Sequence, residues 1–256
     1  MQYAAPPEHV TFSGLLFDMD GTIIDSTSAV VKHWHTVGNE IGVDPEVILQ
    51  TSHGRRSIDM LKVLCPEKAN WEYVRHMEGL LPKLHGQDAV EIPGARALLD
   101  ELIAAKAPWA IVTSGTEPLV MGWLDVLSLP HPEHLVTAES VANGKPDPAC
   151  YELGRSKLGL PPSSSSSSSF VNGEKEEEDS QVLVLEDSPA GIRSGKAAGC
   201  KVLAVVTSHT VEQVAAAEPD WIVQDLRSVK MVECSEGGHG RRRVTLRISD
   251  GLVRKA

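Results

Sequence analysis

Two carboxylates stand two residues apart in Asp18-Met19-Asp20-Gly21-Thr22. Gly21 lets the chain leave an extended course there, so the two side chains can diverge in task. One can attack an electrophile while the other moves protons. A carboxylate that attacks phosphorus makes an acyl phosphate, which splits one hard hydrolysis into two easier displacements. Two anions that meet need a counter-charge. Glu186-Asp187 offers two more carboxylates, and Lys145, between Asn143-Gly144 and Pro146, offers a cation in a turn that its neighbours stiffen. Mg²⁺ takes oxygen ligands and is usually held by one or two carboxylates plus substrate phosphate, which fits Asp18 with Asp187 or Glu186. Glu186 could instead stand behind the metal ligands. Lys145 and the hydroxyl of Thr113, or that of Ser114 if a strand ends one residue later, would hold the other phosphoryl oxygens.

Each of these groups follows a short apolar run. Leu15-Leu16-Phe17 precedes Asp18, Trp109-Ala110-Ile111-Val112 precedes Thr113, and Val182-Leu183-Val184-Leu185 precedes Glu186. Val202 to Val206 is a fourth run and Trp221-Ile222-Val223 a weaker fifth. Continuous apolar runs of this length suit strands buried on both faces of a parallel sheet. Helical patterns lie between them: Leu98, Leu99, Leu102 and Ile103 follow Pro93-Gly94 at one-face spacing, and Ala190 to Ala198 precedes Gly199 as a helix stop. Alternating strand and helix predicts a Rossmann-like, doubly wound α/β fold. In such sheets ligands bind beyond the carboxyl ends of the strands, where the motifs converge.

Residues 29–90 break the alternation. Val30 to Ile41, Pro45 to Gln50, Ser57 to Leu64 and Asn70 to Leu81 read as helices with no strand between them, an α-helical cap inserted above the first strand's carboxyl end. Asp25-Ser26 is expected to cap its first helix. The α/β core is then 12–28 with 91–232. His53, Gly54 and Arg55 in the cap, with Arg56 beside them, are candidates for setting substrate specificity; a solvated turn is their alternative role. Residues 161–180, with seven serines from Ser163 to Ser169 and a Glu-rich run, can bury no apolar surface and predict a flexible loop within the core. Residues 233–256 form a tail in which Val244 to Ser249 alternates like an edge strand.

The chain's 256 residues, 41% hydrophobic, suffice for a real core, and its formal charge of -11 argues against nucleic-acid or anionic-membrane surfaces. Cys65, Cys150, Cys200 and Cys234 are far apart and read as reduced thiols of a cytoplasmic protein; no apolar leader or membrane-spanning run is apparent. His33 and His35 do not share a helix face and make a poor metal pair. Gly191 to Lys196 lacks the spacing of a phosphate-binding loop and reads as a helix packed on the sheet.

The order and spacing of Asp18-Met19-Asp20-Gly21-Thr22, Val112-Thr113-Ser114-Gly115, Gly144-Lys145-Pro146 and Glu186-Asp187 resemble the haloacid-dehalogenase-like hydrolases over roughly residues 12–230. Ser52-His53-Gly54-Arg55-Arg56, Ile92-Pro93-Gly94-Ala95 and Asn143 to Pro148 add a likeness to the fungal glycerol-phosphate and 2-deoxyglucose-6-phosphate phosphatases of that family. The resemblance implies that Asp18 is the nucleophile and that Asp20 protonates the leaving alcohol and then activates water. It also implies that Thr113 and Lys145 bind phosphate. Asp187, with Glu186, would hold Mg²⁺ alongside the Asp18 carboxylate and the Asp20 main-chain carbonyl. An acid at Asp20 favours phosphoryl transfer over carbon–halogen cleavage. The expected substrate is a small phosphorylated alcohol or sugar, with no obligate protein partner. A sugar-phosphate mutase on the same core and a non-catalytic binding module are the alternatives.

Overall fold

The structure is a computed structural model that describes residues 2–52, 54–162, 181–237 and 240–253. His53 and most of the Ser/Glu-rich loop, residues 163–180, lie outside the described residues.

The chain opens with β1 (Gln2–Tyr3) and β2 (Glu8–Phe12), then enters the first apolar run as β3 (Gly14–Phe17). A short strand, β4 (Ile24–Asp25), leads to four helices: α1 (Thr27–Ile41), α2 (Pro45–Ser52), α3 (Ser57–Leu64) and α4 (Trp71–His85). The return passes through β5 (Val90–Glu91), α5 (Ala95–Ala104), β6 (Trp109–Val112), α6 (Glu117–Val126) and β7 (Leu135–Val136). Next come α7 (Ala149–Lys157), β8 (Val182–Glu186), α8 (Pro189–Ala197), β9 (Lys201–Val205), α9 (Val211–Ala215) and β10 (Trp221–Val223). The chain closes with β11 (Val229–Glu236), β12 (Arg242–Ile248) and β13 (Leu252–Val253).

Six of these strands form one parallel sheet in the order β10-β9-β8-β3-β6-β7. Its central strands β3, β6 and β8 are buried along their whole length, as their unbroken apolar runs predict. Alternate residues serve opposite faces. Leu15, Phe17, Leu183, Leu185 and Leu203 pack into one apolar cluster, while Leu16, Ala110, Val184 and Val202 pack into another. Burying each of the larger of these side chains, leucine, valine or phenylalanine, stabilises the fold by about 1.5–3 kcal/mol. The carboxyl ends of β3, β6 and β8 are thereby held at one edge of a stiff layer.

The helices of residues 27–85 pack on one another through Trp34, Val37, Ile48, Leu61 and Val74. Two strands of chain join them to the α/β layer, paired antiparallel as Ile24 with Glu91 and Asp25 with Val90. A side-by-side helix contact adds to that ribbon: Gly122 of α6 faces Pro82 of α4 so closely that a methyl on Gly122 would sit 2.7 Å from the ring. Asp25 and Ser26 act differently from the expected cap. Asp25 accepts the backbone N–H of Thr27, whereas Ser26 makes no cap bond and turns its hydroxyl to Asp20.

The tail corrects the expected edge strand. Arg242–Ile248 lies in the middle of a three-stranded antiparallel sheet, β11-β12-β2, with Val244, Leu246 and Ile248 in the same apolar cluster as Leu98, Leu99 and Leu102 of α5. Alternation reports one buried face but does not say how many neighbours a strand has. The partner β11 also straddles position 232, where the core was expected to end.

Candidate active site

At the end of β3, Asp18 is buried, and the ammonium of Lys145 donates to its Oδ1 at 2.6 Å. The same Nζ donates to Glu186 Oε1 at 2.7 Å and to the Val112 carbonyl at 3.3 Å. Lys145 thus ties together the ends of β3, β6 and β8. Its position is fixed by the loop that carries it: Asp147 N–H bonds back to the Gly144 carbonyl, and Asp147 Oδ1 accepts the N–H of Ala149 at the start of α7. Burial alone would lower the lysine's pKa, but the charges of Asp18 and Glu186 outweigh it and hold the ammonium protonated. Burial pushes the Asp18 carboxyl up to about 8 against the pull of Lys145, with Glu186 adding to the rise.

Glu186 has its oxygens engaged. Oε1 accepts from Lys145 and from the Tyr151 hydroxyl at 2.8 Å, and Oε2 accepts from the N–H groups of Asp187 and Ser188 and from the Ser188 hydroxyl. Burial works against its charge, yet Lys145 and these donors bring its pKa below the usual value. Gly191 leaves room for this carboxylate, since a methyl there would overlap it. Of the two acidic residues at the end of β8, Asp187 is the freer. Among the described residues, its Oδ2 accepts the Ser208 hydroxyl alone, with His209 Nδ1 4.0 Å away. Burial, then Glu186 and Asp18, push the Asp187 carboxyl well above its ordinary range.

An all-oxygen donor set results: one ligand atom each from Asp18, Glu186 and Asp187 lies within 4.8 Å of the others. This hard, acidic cluster suits Mg²⁺, whose charge would relieve the repulsion that lifts Asp18 and Asp187. Gly21, at φ 93°, turns the chain against it, and a Cβ there would fall on the Asp187 carboxylate. Glu186, with its oxygens held by these donors, has less capacity left for a cation than Asp187.

Asp20 is half-buried on the cleft beside Asp18 and accepts the Ser26 hydroxyl at 2.6 Å. Burial raises its pKa, with the Ser26 bond and Lys145 opposing. β6 ends at Val112, so Thr113 is the first residue beyond it; it lines the cleft, and its Oγ1 accepts the N–H of Gly115 at 3.0 Å. The open choice between two hydroxyls is narrowed by Ser114, which donates its own to the Gly54 carbonyl at 3.0 Å. Ser114 therefore joins the α/β layer to the cap rather than aiming a free donor at phosphate.

A cleft open to solvent lies between layer and cap, lined by residues of both, among them Asp18, Asp20, Thr113 and Ser57. Arg55 lines it and is exposed. Arg56 is buried and points elsewhere: its guanidinium pairs with Asp59 and donates to the carbonyls of Ala138, Val141 and Ala142. The cap wall holds Glu78 and His33, neither of which was singled out as a site residue by the sequence, as well as Ser57. Tyr151, Thr207 and Ser208 were missed too, although Thr207, which donates to the Gly21 carbonyl, and Ser208 follow β9 as Thr113 follows β6.

Residues 15–205 match the haloacid dehalogenase-like hydrolase family. Glycerol-1-phosphate phosphohydrolase 1 of Saccharomyces cerevisiae is 37% identical over 235 residues, covering 91% of this chain and 90% of the relative. The 2-deoxyglucose-6-phosphate phosphatase 2 of the same yeast is 32% identical, covering 93% and 96%. A solved hydrolase from Pseudomonas syringae superposes with a TM-score of 0.64 at 21% identity, covering 83% of this chain and 94% of that one. The chain belongs to the haloacid dehalogenase-like hydrolases. Within that family it is a phosphoric monoester hydrolase.

Proposed function

We propose that this protein is a Mg²⁺-dependent phosphatase that hydrolyses small polyol or sugar phosphates through an aspartyl-phosphate on Asp18. The observation that carries the proposal is the buried contact of Asp18 with Lys145, in a cleft shared with Asp20 and Asp187. The names of the two yeast relatives favour a phosphorylated three-carbon polyol or a hexose derivative as substrate.

Asp18 attacks phosphorus with one carboxylate oxygen, and the bond from phosphorus to the ester oxygen breaks. Asp20, its carboxyl lifted by burial, holds a proton and gives it to the departing alkoxide. Asp20, now a carboxylate, takes a proton from water as that water's oxygen attacks the phosphorus of the acyl phosphate. The bond to Asp18 breaks and inorganic phosphate leaves. Lys145 and Thr113 hold the non-bridging phosphoryl oxygens as charge spreads over them. Asp18, Asp187 and the Asp20 main-chain carbonyl would hold Mg²⁺, which supplies charge neutralisation between phosphate and carboxylate. Glu186 and Tyr151 keep Lys145 in place. The helices of residues 27–85 act as the cap that excludes bulk water before attack.

The four cysteines are free, and among the described residues no helix is long and apolar enough to cross a membrane. The free thiols support a reducing, cytoplasmic setting. A Mg²⁺-dependent phosphate-release assay on Asp18→Asn tests the chemistry: activity should be abolished, and a variant that keeps most of it refutes Asp18 as nucleophile.

A further inference from the structure

The cap wall carries polar groups that the reaction steps leave unused. Glu78 of α4 is buried and lines the cleft that holds Asp18 and Asp20. Ser57 Oγ donates to its Oε1 at 2.6 Å, and the Thr116 N–H, at the start of α6, donates to its Oε2 at 2.7 Å. An ionised carboxylate offers about four lone-pair sites, so capacity remains to accept from a ligand hydroxyl. His33 of α1 is on the same wall, and burial, with His85 adding, keeps its imidazole neutral. Arg56, the buried arginine of the cap, is committed to Asp59 and three backbone carbonyls. Among the described residues, Arg55 is the cation that the cap brings to the cleft, and it is exposed.

We infer that Glu78, with Ser57 and His33 beside it, is a specificity-determining residue that selects phosphate esters ending in a neutral hydroxyl over those ending in a second anion. The inference rests on the phosphatase reading and extends it to the far end of the substrate. A carboxylate on that wall accepts a hydrogen bond from a hydroxyl; a second carboxylate or phosphate would meet like charge where little water screens it. A mutase acting through a bisphosphate must hold a second phosphate at this end, so the wall also opposes that chemistry.

Two substrate pairs test it without any mutation. Glycerol 3-phosphate and 3-phosphoglycerate differ at the distal carbon, as do glucitol 6-phosphate and 6-phosphogluconate: each pair sets a terminal hydroxymethyl group against a carboxylate. Measured well above neutral pH, kcat/KM should favour the hydroxyl member by at least about 100-fold in whichever pair is turned over. Glu78→Gln keeps the shape and removes the charge, and should narrow that ratio by about tenfold by raising kcat/KM for the anionic member. A wild-type ratio near one overturns the inference while leaving the phosphatase reading intact. An unchanged ratio in folded Glu78→Gln overturns the role of Glu78. If that variant does not fold, Ser57→Ala, which removes the hydroxyl donor to Glu78, replaces it, and an unchanged ratio there counts against the wall. Release of phosphate from none of the four esters, nor from 2-deoxyglucose 6-phosphate, overturns both readings.

Discussion

Lys145 Nζ lies 2.6 Å from Asp18 Oδ1, although 127 positions separate the two in the chain. The contact is buried, and the ammonium is shared with Glu186. One cation thus opposes two carboxylates at the ends of two strands.

Lys145→Met should abolish phosphate release, with a loss of at least about 100-fold in kcat, because it removes the donor proposed for the phosphoryl oxygens. It should also destabilise the protein by about 3–5 kcal/mol, since Asp18 and Glu186 are left buried without their partner. Adding Glu186→Gln should return part of the stability and none of the activity. Chemical denaturation and steady-state kinetics on the wild type and the two variants separate the two effects.

Gly21 has φ 93° and faces Asp187 without a side chain. Gly21→Ala should cost about 1–3 kcal/mol from backbone strain and displace the Asp187 carboxylate. The expected signature is a rise in the Mg²⁺ concentration needed for half-maximal activity, measured by metal titration.

Arg56 joins the start of α3 to the loop that precedes Lys145, and its fork reaches three carbonyls. Arg56→Lys keeps the charge but not the fork, so it should lower stability by about 1–3 kcal/mol. Looser seating of the cap should raise KM for the substrate more than it lowers kcat. Thermal unfolding and initial-rate kinetics read the two consequences.

Burial raises the Glu78 carboxyl from 4.5 to about 7, with Asp20 pushing the same way and the bonds from Ser57 and Thr116 opposing. The folded protein therefore binds this proton more tightly than the unfolded chain does. The resulting stabilisation is fully present below about pH 4.5 and is lost as the pH rises through about 7. Its size is on the order of 3 kcal/mol. Glu78→Gln does not titrate, so the stability of the wild type relative to this variant should fall across that window in urea unfolding.

Much of the fold is legible because strands buried on both faces need unbroken apolar runs. Phe17, Val112 and Leu185 mark where the chemistry begins. The two-residue strand Leu135–Val136 has no such signature and is set by pairing with β6. Alternation in Val244, Leu246 and Ile248 reports their buried face but not the strands on either side. Glu78 was illegible for a different reason: a glutamate in an amphipathic helix usually faces water, and only the packing of α4 on α6 puts this one on the cleft. Ser208 was within reach of the sequence, because it stands just past Val205 at the end of β9, where the carboxyl ends of the other strands also carry polar side chains.

The proposed mechanism requires a covalent phosphate on Asp18 during turnover. Wild-type protein given Mg²⁺ and a radiolabelled substrate ester, quenched in acid during turnover and digested, should carry alkali-labile label on the peptide containing Asp18, and Asp18→Asn should carry none. Rapid release of labelled phosphate with no label on protein under those conditions, or label on another residue, contradicts the account.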